Sequence, residues 1–142
     1  TRSEMRGLQG WFLNRLGCFP IDQGRPSLTS LRYAVDLLIS SQQLVVFPEG
    51  RINRCGEPVK LKKGLIRLAQ LASNKGLDIT IVPVGLAYSE VIPKFFGSAS
   101  ICFSKPIVIS KYIKQSTNDF NIALSKSMRS AEQSALLAVG RR

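Results

Sequence analysis

The chain contains no histidine, so it lacks the one side chain whose unperturbed pKa lies near neutrality. A serine or cysteine nucleophile worked by a histidine base is therefore excluded within these residues, and so is any metal site built on imidazole. The three cysteines, Cys18, Cys55 and Cys102, are odd in number and far apart. That spacing suits neither a disulfide framework nor a zinc site, and they read as reduced structural thiols of a cytosolic protein. No metal or cofactor is implied. Acidic residues are scarce, nine against twenty lysines and arginines. Long apolar runs are missing too: the best candidates are broken by Pro48, Pro83 and neighbouring charges, well short of the roughly 18–20 residues that cross a bilayer. The chain opens on Thr1 with no charged and then apolar leader, which predicts no signal peptide and a processed or truncated start. There is no internal repeat and no low-complexity tract.

What is present describes one folded unit. A length of 142 residues, 44% hydrophobic and 20% charged, fits a single core rather than a disordered chain. The formal charge of +11 is spread along the sequence, so the folded body itself is basic. Such a field attracts nucleic acid, anionic lipid headgroups or phosphorylated small molecules. A nucleic-acid module would need aromatic platforms interleaved with basic residues, or a recognisable fold signature, and neither is found.

Apolar spacing places the elements. Met5, Leu8, Phe12 and Leu16, widened by Trp11 and Leu13, predict a helix over residues 2–16 whose Met5, Leu8 and Phe12 face the core. Residues 18–22 read as a strand closing into the turn Gln23-Gly24-Arg25-Pro26. From Ser27, an N-cap, Leu31, Val35, Leu38 and Ile39 mark a second helix. The run Leu44-Val45-Val46-Phe47 has the character of a strand buried on both faces, stopped by Pro48 and Gly50. Leu61, Leu65, Leu68, Ala69 and Ala72 give a third helix ending before Gly76. Residues 79–82 give a further buried strand, with Pro83 marking a bend, and residues 100–110 one or two extended runs interrupted at Lys105-Pro106. Ser116-x-x-Asp119 resembles a capping box opening a final helix.

This alternation predicts an α/β domain with a mostly parallel sheet flanked by helices. Ligands of such sheets sit beyond the carboxyl ends of the strands, where the loops at residues 22–25 and 48–54 would converge. Arg51, Arg54, Lys60, Lys62, Lys63 and Arg67 crowd the second loop and the helix that follows it. Guanidinium forks, glycines that admit an anion to the backbone, and a helix N-terminus near Lys63 all suit phosphate.

The block Phe47-Pro48-Glu49-Gly50 resembles the F-P-E-G motif of the glycerophospholipid acyltransferase superfamily, which includes glycerol-3-phosphate and lysophosphatidic acid acyltransferases. Neighbouring blocks match in the family's order. Gly17-Cys18-Phe19-Pro20-Ile21-Asp22 resembles the block ending in isoleucine-aspartate-arginine, and Lys62-Lys63-Gly64 the later lysine-glycine step. Val82-Pro83-Val84-Gly85 resembles the V-P-V block, and Lys105-Pro106-Ile107 a glycine-x-proline-isoleucine turn. The likeness runs over residues 17–110 and implies that 1–142 is the C-terminal part of one acyltransferase domain. It departs from the family where Gln23 replaces an arginine, which Arg25 could supply, and where Arg51-Ile52 replaces threonine-arginine. The homologous guanidinium is then either Arg51 or Arg54.

The resemblance implies a histidine base in an H-x-x-x-x-D block, expected upstream of Thr1, so that no catalytic residue lies in this chain and the chain alone is inactive. It implies acyl-CoA or acyl-carrier protein as donor and a phosphorylated glycerolipid such as lysophosphatidic acid as acceptor. The substrate-binding set would be Glu49, Arg51, Gly50, Arg25, Arg54 and Lys63, with Asp22 bracing its loop. Trp11 and the Phe95-Phe96 pair are further candidates, for an acyl groove. The expected location is the cytoplasmic face of a membrane, held peripherally through the basic face and Trp11-Phe12-Leu13 with no spanning helix. A non-catalytic lipid-binding relative is the alternative.

Overall fold

A computed structural model describes residues 7–19, 28–50, 61–62, 64–113 and 117–141. In chain order the elements are α1 (Gly7–Arg15), α2 (Leu28–Ile39), α3 (Gly64–Ser73), β1 (Thr80–Ile81), β2 (Val84–Tyr88), β3 (Ala99–Phe103), β4 (Ile107–Val108), α4 (Ser110–Ile113) and α5 (Thr117–Ala138).

The helical spacing of apolar residues gives α3 two buried sides. Leu68 and Ala72 pack against Leu31, Ala34 and Val35 of α2, with Phe19, Leu38 and Leu44 around them. Ile66 and Ala69 face Ile107, Ile109, Phe120 and Leu124, drawn from β4 and α5 and the turn after β4. Ile79 touches both clusters and joins them. Gly76 (φ 79°) ends α3 as its sequence position predicts, and Leu77 donates its N–H to the carbonyl of Ala72 at 3.1 Å, satisfying a carbonyl the helix would otherwise leave open.

The strands form antiparallel ladders, not the parallel sheet that the alternation of elements suggests. β1 pairs with β4, Thr80 opposite Val108, and β2 with β3, Val84 opposite Phe103 through Tyr88 opposite Ala99. Between the two ladders, Val82 and Pro83 on one side and Ser104 to Pro106 on the other carry no ladder pairing, so the two-stranded sheets are separate. Prolines suit this position because neither can donate a ladder hydrogen bond. The hairpin was hidden from the pattern because residues 89–98, which join β2 to β3, carry no Asn-Gly or Asp-Gly turn signal.

Two further expectations are corrected. The run at 44–47 has no ladder partner among the described residues; Leu44 is half-buried, but Val45 is 86% and Phe47 73% exposed. A buried central strand needs a neighbour on each side, and the two described ladders are formed elsewhere. In α1 the apolar residues do not face a core: Leu8, Trp11, Phe12 and Leu16 are exposed and Gly10 is the buried residue. Met5 and the first residues of that predicted helix lie outside the described residues, as do the expected strand over most of 18–22 and the capping Ser116.

α5 lies across β2 and β3. Their inward residues, Gly85 and Ala87, are buried, and Ala131 and Ala135 on α5 are 4% and 0% exposed. Small residues on both surfaces allow this approach, and at Gly85 it is complete: a Cβ there would stand 2.2 Å from the carbonyl carbon of Ala131 and 2.3 Å from the amide nitrogen of Glu132. Only glycine fits. The outward face of the hairpin, with Leu86, Ile101 and Phe103, stays exposed.

Candidate functional site

The F-P-E-G segment makes a tight turn. Gly50 donates its N–H to the carbonyl of Phe47 at 3.2 Å, at a φ of 65° that side chains larger than glycine rarely adopt. Pro48 is buried, and its carbonyl accepts the N–H of Lys62 at 2.8 Å. Leu61, packed against the core, anchors that partner. The basic segment between is thereby closed at its neck: one end is the turn, the other the residues leading into α3.

Gly50 and Lys62 lie against one another. A Cβ on Gly50 would sit 3.3 Å from Cγ and 3.4 Å from Cε of Lys62, so the lysine stem runs over the bare backbone of the turn. Glu49 is half-buried, and burial pushes its carboxyl above the usual carboxylate range, with repulsion from Glu132 on α5 adding to the effect. The Gly85 contact holds the Glu132 backbone beside β2, so α5 delivers that second carboxylate to the turn. A carboxyl that keeps its proton to higher pH can donate an O–H as well as accept, which suits a hydroxyl or phosphate oxygen.

Of the predicted set, Glu49 and Gly50 stand together at this turn. Arg25, Arg51, Arg54 and Lys63 lie outside the described residues, as does Asp22, so the convergence of the two loops is not described. Two residues outside the predicted substrate-binding set join the site. Lys62 was visible as part of the lysine-lysine-glycine step. Glu132 gave no signal, since it stands far along the final helix and reaches the turn only through the fold. Trp11, with Arg15 Cζ 5.1 Å above its ring, and the exposed Phe95-Phe96 pair line no groove with this turn among the described residues. Cys18 is exposed and Cys102 half-buried, neither in a disulfide.

Comparison with known proteins agrees with the turn's sequence. The model of the Acyltransferase family matches residues 2–87. A 1-acyl-sn-glycerol-3-phosphate acyltransferase of Bacillus subtilis (strain 168) is 34% identical over 62 residues, covering 44% of this chain and 30% of that protein. One of Streptococcus pneumoniae (strain ATCC BAA-255 / R6) is 32% identical over 94 residues, covering 63% of this chain and 34% of that protein. The chain thus spans about a third of the length of these relatives. No solved structure matches it.

Proposed function

Since the chain belongs to the Acyltransferase family, whose model covers more than half of it, we propose that the whole protein transfers a fatty acyl group from a thioester to the hydroxyl of a phosphorylated glycerol backbone. The acceptor hydroxyl attacks the thioester carbonyl, a C–O bond forms, the C–S bond breaks, and the hydroxyl proton passes through a general base to the departing thiolate. The names of the two relatives support a lysophosphatidate acceptor. Coenzyme A and acyl-carrier protein are the thioesters that fit this chemistry. By the family resemblance we assign the general base to a histidine, which these 142 residues do not contain.

The observation that carries the reading is the turn at Pro48, Glu49 and Gly50, where bare backbone, a lysine stem and a carboxyl of raised pKa meet at the neck of a segment holding Arg51 and Arg54. In this reading Arg51 grips the acceptor phosphate, Glu49 holds an oxygen of the glycerol backbone, and Arg54, Lys63 and Arg25 complete the basic wall. The protein rests on the membrane from which its amphiphilic acceptor comes.

Kinetics of the whole protein test the assignment. Loss of a charge-assisted contact costs about 1.5–3 kcal/mol, so Arg51→Ala raises the acceptor KM roughly ten- to a hundredfold and leaves the thioester KM nearly unchanged. Arg51→Lys recovers part of this, because a point charge cannot reproduce the fork. An acceptor defect in Arg54→Ala with none in Arg51→Ala moves the phosphate contact to Arg54. A defect in neither overturns the phosphate site, and acceptor binding without any turnover in the unaltered protein makes it a non-catalytic lipid-binding relative.

A further inference from the structure

The end of the β2–β3 hairpin carries four large apolar residues with almost nothing against them. Val91 is 73%, Ile92 77% and Phe95 97% exposed, and Phe96 is as open as in a free peptide. Water-exposed phenylalanines are common singly, but a cluster of this kind on one loop marks a contact surface.

This loop is braced rather than loose. Ser89 donates its N–H to the Ser98 carbonyl at 2.9 Å, Ser98 returns its own to Ser89 Oγ at 3.2 Å, and Gly97 donates to the Lys94 carbonyl at 3.1 Å. Lys94 and Glu90 form an ion pair across it. Phe96 holds a φ of 65°, where a bulky residue is rare and glycine or asparagine is ordinary. The fold keeps both rings pointing into solvent at a conformational cost.

We propose that this tip is a wedge that enters the interfacial layer of an anionic bilayer. Its shape is convex: the rings stand at the far end of a hairpin and form no groove, so a protein partner would need a matching cavity, whereas lipid closes around a protrusion of any outline. The charge also fits. The chain carries +11, and Arg141 donates from Nη1 to the Tyr88 carbonyl at 3.0 Å, placing a cation where β2 enters the loop. Lys94 is paired with Glu90, so the charge offered to anionic headgroups when the rings are buried is that of Arg141 and of the basic body. The proposal deepens the reading of a lipid acceptor met at a membrane, but it needs no turnover.

Its test uses the whole chain in a Trp11→Phe background, which removes the one tryptophan, with Phe95→Trp as a reporter. On vesicles of 30% phosphatidylglycerol in phosphatidylcholine at low salt, the reporter emission moves to shorter wavelength and is quenched by lipids brominated high on the acyl chain. Phe95→Ser with Phe96→Ser, in the otherwise unaltered chain, lowers partition roughly ten- to a hundredfold and leaves the thermal midpoint in place, since exposed rings hold nothing together. An unshifted reporter, or an unchanged partition in the double variant, overturns the wedge. So does loss of partition through Trp11→Ala and Phe12→Ser alone, which assigns attachment to α1. A reporter already blue-shifted without vesicles in a dimeric chain assigns the tip to a second copy, and equal partition onto pure phosphatidylcholine removes the anionic preference. Acyl transfer by the full-length protein, with a tip that stays wet in this chain, defeats the wedge and spares the activity; an inserted tip in this chain, with no transfer by the full-length protein, does the reverse.

Discussion

Glu49 shows how a motif position acquires its chemistry from distant parts of the chain. Its carboxyl is raised first by burial and then by Glu132, so between the ordinary carboxylate range and its own raised value the folded state binds more protons than the unfolded one. Stability therefore falls as pH rises through that window. Glu49→Gln abolishes this dependence: relative to the unaltered chain it gains stability at neutral pH, where the partly buried carboxylate is penalised, and gains nothing at pH 4. Denaturant titrations at the two pH values measure it, and an equal effect at both means that the carboxyl is not raised. The sequence made Glu49, Gly50 and the basic loop legible because the motif is contiguous. It could not reveal Glu132, because nothing in the spacing of a helix says which loop its outer face will meet.

Among the elements, α2 and α3 were legible from apolar residues three and four apart, and α5 from the start signal ending at Asp119; each lies where the sequence puts it. The strands were legible as apolar runs but not in their pairing. Parallel and antiparallel strands bury similar residues, and the decisive feature, a hairpin turning through Val91 to Phe96, carries no Asn-Gly or Asp-Gly pair to announce it. The V-P-V block shows its purpose only in three dimensions: Pro83 sits at the break between the two ladders and Gly85 two residues on admits α5. Gly85→Ala must push α5 away by more than a tenth of a nanometre or bend β2, and overpacking of this kind costs about 1–3 kcal/mol. Thermal unfolding checks it; a melting point that matches the unaltered chain means that α5 does not lie on β2 as described. The variant also loosens Glu132 from the turn, so Glu49 should titrate closer to an ordinary carboxylate in it.

At the scale of the whole molecule, two compositional facts govern the account: an excess of positive charge and the lack of histidine. The first suits a protein that meets phosphorylated amphiphiles at a surface. No helix among the described residues is long and apolar enough to cross a membrane, and the exposed apolar residues of α1, of residues 45–47, of the outward hairpin face and of the hairpin tip are surfaces open to contact with lipid or with further protein. The second separates binding from chemistry. In the proposed reading the F-P-E-G turn holds an acceptor phosphate without any base, whereas a hydroxyl attack on a thioester near neutral pH needs a group that exchanges its proton there, and Glu49 is assigned to binding. The central claim is therefore that these 142 residues carry acceptor recognition and not the catalytic base of an acyltransferase. The direct measurement is thiol release from an acyl thioester in the presence of a lysophosphatidate acceptor, catalysed by the purified 142-residue chain. A rate no greater than that without protein is expected; a rate above background that Glu49→Gln abolishes would make Glu49 the base.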